Sequence, residues 1–103
     1  MSENKSLAVF ENKNIRKTWY KNEWWFSVVD VIGSLTDSIN SRFYWGKLKE
    51  REVKNGVELL TFCQQLKLKS SDGKLYLTDC SNTEGLFRII QSVPSKKAEP
   101  FKL

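Results

Sequence analysis

Alternation of apolar and polar residues comes first in this chain, then gives way to helical spacing. In "IRKTWY", β-branched and aromatic residues fall at alternating positions, a strand pattern. "KNE" makes a tight turn and "EWWF" a second strand, so the stretch predicts a β-hairpin. The period then changes. Val28, Ile32 and Leu35 stand at i, i+4 and i+7, the apolar face of a short helix. Ser27 and Asp30 precede it three apart, a capping box with Asp in the usual Glu place. Gly33 inside this helix costs it about 1 kcal/mol relative to alanine.

After the break "TDSIN", the run "SRFYWGKLKEREVK" predicts a second helix, stopped by Asn55 and Gly56. At 100° steps Trp45 and Leu48 share one face, while Tyr44, Lys47, Arg51 and Lys54 fall on the other. "VELLTFCQQ" suits a strand or a helix equally. "LKLKSSDGKLYLTD" then places Asp72 and Gly73 in a turn between two alternating runs, a second hairpin. On this pattern Leu66, Leu68, Leu75 and Leu77 share one face, and Lys67, Lys69, Lys74 and Tyr76 the other. "SNTEGLFRIIQSV" opens with a capping box of Ser81 and Glu84 and buries Leu86, Ile89, Ile90 and Val93 in a third helix, ended by Pro94. Residues 95–103 read as the start of a further, truncated helix, with Pro100 tolerated only near its first turn. Upstream, Ala8–Phe10 is a candidate short strand, and residues 1–7 are expected to be disordered. Hairpins alternating with three to four short helices, without long βαβ crossovers, give an α+β fold.

The aromatics of the first hairpin divide by alternation. Trp24 and Phe26 point to one side of their strand and Trp25 to the other. Trp24 and Phe26 are expected in the core, with Trp19 as their cross-strand neighbour. Trp25 and Tyr20 remain as candidate exposed stacking residues.

Length and composition set the frame. A chain of 103 residues, 40% hydrophobic and 13% aromatic, suits one small domain with a real core. No stretch approaches the roughly 18 apolar residues of a membrane span, and the polar start does not resemble a signal peptide. A cytoplasmic location is expected, with no membrane partner. Cys63 and Cys80 then read as reduced, small apolar residues. There is no histidine, which excludes Ser-His-Asp and Cys-His nucleophile systems and His-containing metal sites. Two cysteines alone cannot build a structural zinc site.

Charge narrows the function classes. The net charge is +5 and the pI about 9.3, which favours a polyanionic partner. Phosphate contacts need Lys or Arg along a surface, and an interleaved aromatic can stack on a base. Lys67, Lys69 and Lys74 beside Tyr76 meet that description on the second hairpin. Lys47, Arg51 and Lys54, with Arg42 near the helix start, add a basic stripe on the second helix. The bland alternative is a solvated lysine face that protects a strand edge, and a helix face with local ion pairs such as Glu50 to Lys54.

Enzyme chemistry has weaker support. Asp37, Glu52 and Lys54 follow a "D…ExK" order found in metal-dependent nucleases, but Glu52 and Lys54 fall near a helix end rather than on strands. Asp30 and Glu84 are explained as caps, and Asp79 as a cap for the third helix or a charge that stabilises its positive end. Cys80, near that helix start, is a candidate for a lowered pKa, against the usual inert state of a buried thiol. No catalytic residue, metal site or cofactor is expected.

Three stretches together, "IRKTWYKNEWWFSVVDVIGSLTDS", "YWGKLKER" and "LKLKSSDGKLYLTDCSNTEGLFRIIQSVPSKKAEPFKL", resemble the Bro-N domain. This is the N-terminal domain of baculovirus BRO proteins, phage antirepressors and the bacterial DNA-damage-inducible protein D group, with the last group most similar. The resemblance covers nearly the whole chain from Ile15 on. It implies an α+β domain spanning residues 1–103 that binds DNA in a phage or bacterial regulatory protein. It assigns no DNA-binding residue, so the basic residues above stand on the pattern alone. Members of the family usually continue beyond "AEPFK" into more helix and a separate C-terminal region, so this chain is expected to be a domain fragment or a short member. DNA, double- or single-stranded, is the expected partner. The alternative is a module that sequesters a repressor or recombination protein, with a homodimer as a further option through Phe101 and Leu103.

Overall fold

The computed structural model describes residues 14–102, so the Ala8–Phe10 strand, the expected disorder of residues 1–7 and Leu103 lie outside the described residues. Strand β1 (Lys17–Tyr20) and strand β2 (Glu23–Ser27) form the first hairpin, in the register Trp19↔Trp24 and Lys17↔Phe26. Its turn is Lys21–Asn22, and both residues have positive φ, 51° and 64°. A two-residue connection needs that geometry to match the strand twist.

Helix α1 (Val28–Leu35) follows β2 without a spacer, because Ser27 ends the strand and caps the helix, accepting from Asp30 N–H at 3.3 Å. The reciprocal half of the capping box is absent. The Asp30 carboxylate is instead taken by Arg16, whose Nε donates at 2.7 Å and whose backbone N–H donates at 3.0 Å. Helix α2 (Ser41–Lys54) is capped by Asn40 and ends at Asn55, as expected. The ambiguous "VELLTFCQQ" splits into a 3-10 turn (Leu59–Phe62) and the start of strand β3 (Gln64–Lys69). Strand β4 (Leu75–Ser81) leads into helix α3 (Thr83–Gln91), and a 3-10 segment (Lys96–Phe101) closes the described chain. The sequence from Ser95 on therefore makes a tight 3-10 stub containing Pro100, which lacks the N–H an α-helix would use there.

The four strands form one antiparallel sheet in the order β1-β2-β4-β3. It curls, so that β1 approaches β3 and Arg16 donates to the Lys69 carbonyl at 3.1 Å. One face carries the main core. Phe26, α1 (Val28, Val31, Ile32, Leu35), α2 (Trp45, Leu48), Leu59, α3 (Leu86, Ile89, Ile90) and Val93 are buried together. Inside the curl on the other face lies a small second cluster of Trp25, Leu68 and Cys80, with Tyr20 and Leu66 against it.

Two expected caps differ. Asn82, not Ser81, caps α3 and accepts from Gly85 N–H at 2.9 Å. Ser81 is still in the strand, and its fully buried hydroxyl donates to the Phe62 carbonyl at 2.6 Å. Asp79 caps nothing. It sits on the sheet face that carries α2 and accepts from Trp45 Nε1 at 2.8 Å and Gln65 Nε2 at 3.2 Å, with Lys49 Nζ at 3.5 Å.

These contacts make Asp79 a pH-sensitive joint between α2 and the sheet. Burial pushes its carboxyl up, but the hydrogen bonds from Trp45 and Gln65 and the charge of Lys49 outweigh that and hold it below its ordinary 3.8. Its folded pKa is below the unfolded one, so its contribution is full above the unfolded value and is lost as pH falls through the folded value. The denaturation midpoint of the wild type is expected to fall between about pH 5 and pH 2 more steeply than that of Asp79→Asn. Urea melts at several pH values check this; parallel curves would refute it.

Candidate nucleic-acid interface

The β3–β4 hairpin is where the lysines lie. Its register pairs Leu66↔Thr78, Lys67↔Leu77, Leu68↔Tyr76 and Lys69↔Leu75. Directly opposed residues share a face, so the leucines and lysines do not separate as the alternation suggested. Lys67 and Lys69 lie with Leu75 and Leu77 on the face that carries α2. Leu66 and Leu68 lie with Tyr76 on the other, towards the curl. The cause is the turn. Ser71, Asp72 and Gly73 form a three-residue loop closed by Ser70 N–H to Lys74 carbonyl at 2.8 Å, with Gly73 at φ +84°. An odd loop shifts the pairing by one residue relative to a two-residue turn and exchanges the faces of β4.

Lys67 and Lys69 are therefore neighbours on one exposed face, two positions apart on β3. No ion pair joins either of them among the described residues. Leu75 and Leu77 beside them are 60% and 61% exposed. Lys74 and Tyr76 leave this group. Lys74 ends the turn and its backbone N–H donates to Asp72. The Tyr76 hydroxyl also donates to Asp72, which raises the phenol pKa and lowers that of the carboxyl. Tyr76 is thus committed to an acidic neighbour on the opposite face from Lys67 and Lys69.

The α2 residues also divide. Trp45 and Lys49 face the sheet through Asp79, so Lys47, Arg51 and Lys54 point away from it. Lys47 pairs with Glu50 at 3.7 Å, in place of the expected Glu50–Lys54 pair. Arg51 donates to the Ser92 carbonyl at 2.9 Å and pairs with Glu52, which ties α2 to the end of α3. Arg42 belongs to neither group. It lines a groove of about 500 Å³ between α1, α2 and β4, with Val29, Trp45, Leu77 and Asp79. Of the eight candidate residues, Lys67 and Lys69 form one basic surface and Lys47, Arg51 and Lys54 a second; Arg42 lies in a mixed groove, and Lys74 and Tyr76 stand apart at the turn.

Asp37 pairs with Lys97 at 3.3 Å, and Glu52 accepts from Ser92 Oγ at 3.2 Å. No group of three or more Asp, Glu or Cys among the described residues is placed to hold a metal ion. Cys63 and Cys80 are free thiols. Burial pushes them up to about 12 and about 11, so Cys80 is not the activated thiol that a helix start suggested.

In the first hairpin Phe26 is buried and Trp19 is the cross-strand neighbour of Trp24, as expected, but the expected roles of Trp24, Trp25 and Tyr20 are inverted. Trp25 is buried at 8% exposure, and its indole N–H donates to the Tyr20 carbonyl at 2.9 Å. Tyr20 packs against it, half-buried. Trp19 and Trp24 are exposed instead, at 57% and 43%. Trp24 shares a face with buried Phe26, but it lies further from the helices, beyond the reach of the core.

The described residues contain no helix long and apolar enough to cross a membrane. A sequence model described as the BRO family, N-terminal domain matches residues 14–103. No curated protein and no solved structure matches the chain.

Proposed function

This chain belongs to the BRO family as one of its N-terminal domains, and on that premise we propose that it is a non-enzymatic DNA-binding module. The family is of phage-antirepressor type, consistent with a regulatory role. The observation that carries the DNA reading is the pair Lys67 and Lys69, adjacent on the exposed face of a hairpin and without acidic partners among the described residues. A two-stranded ribbon is narrow enough for a major groove, and two parallel lysines suit successive phosphates. Lys47 and Lys54 on α2 form the secondary contact. A place in a DNA-damage-response protein of the D group, in the cytoplasm, belongs to the same proposal.

The test is an anisotropy titration against double- and single-stranded DNA at several salt concentrations. Affinity is expected to fall with salt, by a log–log slope of about 0.9 per phosphate contacted on duplex DNA. Affinity that stays flat as salt rises rejects the reading. DNA left intact with magnesium or manganese is expected, and cleavage would restore the nuclease alternative.

A second reading has its own observation. Leu75 and Leu77 are exposed beside the lysines, and β2 pairs with β4 only through Phe26↔Ser81 and Ser27↔Cys80. Residues 75–79 thus have no strand neighbour on that side among the described residues. Such an edge suits an added strand from a repressor or recombination protein, or from a second copy. Phe101, proposed earlier as a dimer contact, packs half-buried against the main core.

A further inference from the structure

Lys17, Trp19 and Trp24 stand together on one face of the β1–β2 hairpin. Trp19 and Trp24 are directly opposed across the strands, with ring centroids 5.1 Å apart and planes at 78°. Lys17 Nζ lies 4.6 Å from the Trp24 ring centre. Lys21 and Asn22 hold the turn in the left-handed region, and the Trp25–Tyr20 hydrogen bond fastens the opposite face. The support beneath the two indoles is therefore stiff. A cross-strand aromatic pair helps a hairpin by itself, but that role does not require indole surface to stay open to solvent. Here both rings do, with the Lys17 cation over one side of Trp24.

We propose that Trp19 and Trp24 form a stacking platform for unpaired nucleobases, with Lys17 taking the adjoining phosphate. A T-shaped pair offers ring faces in two directions, so it suits bases splayed from a flexible single strand rather than the closed stack of a duplex. The adjoining lysine and the net charge of +5 match a polyanionic chain better than a neutral peptide. This inference rests on the DNA-binding reading and adds a preference for single strands.

The experiment measures binding of wild type, Trp19→Leu/Trp24→Leu and Trp19→Phe/Trp24→Phe to three labelled probes. These are an oligothymidylate of about 15 nucleotides, an abasic oligomer of equal charge, and a duplex. Wild type is expected to prefer oligothymidylate to the abasic oligomer by about 10-fold or more. The leucine variant should lose that preference, the phenylalanine variant keep most of it, and both bind duplex as wild type does. If wild type binds duplex in a salt-dependent way without distinguishing the thymidylate from the abasic oligomer, the platform is refuted and the DNA reading stands. If it binds none of the probes, both fall. A proline-rich peptide captured by wild type and lost in the leucine variant, with thymidylate binding unchanged, also overturns the platform.

Discussion

Gly85→Ala is expected to lower stability by about 2–3 kcal/mol, the upper part of the usual range for overpacking. Gly85 lies in the first turn of α3, where β4, the 3-10 turn and the helix start converge. A Cβ there would meet Ser81 Oγ and stand 2.8 Å from the Phe62 carbonyl oxygen and 3.2 Å from Asn82 Oδ1. Ser81 cannot simply turn aside, because its buried hydroxyl already donates to that same carbonyl. Any relief therefore separates α3 from the sheet or breaks the cap at Asn82. In a domain of this size the loss corresponds to a melting temperature lower by roughly 10–20 °C. Ser81→Ala added to Gly85→Ala should recover part of it, a non-additivity expected of residues in contact. Thermal and urea melts check this. A shift below about 0.5 kcal/mol, the size of an ordinary surface change, would show that the junction is looser than described.

Lys67→Glu/Lys69→Glu is expected to weaken duplex DNA binding by at least about 10-fold at low salt and to reduce the salt slope by about 2. Both side chains are exposed on one strand face, so the substitutions disturb no core contact. Lys47→Glu/Lys54→Glu should have a smaller effect. Lys47 already shares its charge with Glu50, and this face of α2 points away from the sheet. The same hairpin variant separates the two functional readings. Lost DNA affinity with unchanged capture of a protein partner supports the DNA module. Unchanged DNA affinity with lost capture supports the interaction module.

Much of the fold was legible in the chain. Local signals are short-range, so the hairpins, α1, α2 and α3, the cap at Ser27, the stop at Asn55 and the buried stripe Leu86–Ile89–Ile90 all emerge from patterns within a few residues. The site was less legible, and the reasons differ by element. On the β3–β4 hairpin a three-residue loop replaced the expected two-residue turn, and one residue of slip moved Tyr76 and Lys74 away from Lys67 and Lys69. Gly73 after Asp72 was a visible signal for such a loop, since a glycine in the left-handed region closes a three-residue turn as well as a two-residue one.

Sequence alone determined what most segments form, though not "VELLTFCQQ" or the stretch after Ser95, and that the domain is basic and α+β. Those outcomes depend on neighbours in the chain and on composition. Only the tertiary structure decided which side chains share a surface. Alternation states that Trp24 and Trp25 face opposite ways, but not which way the core lies. That depends on where α1, α2 and α3 cover the sheet and where it curls over Trp25. The curl buried Trp25, the limited reach of the helices left Trp24 and Trp19 in solvent, and Asp79 went to α2 rather than to a helix end. Each is a contact between segments distant in sequence, and period and propensity contain no information about such contacts.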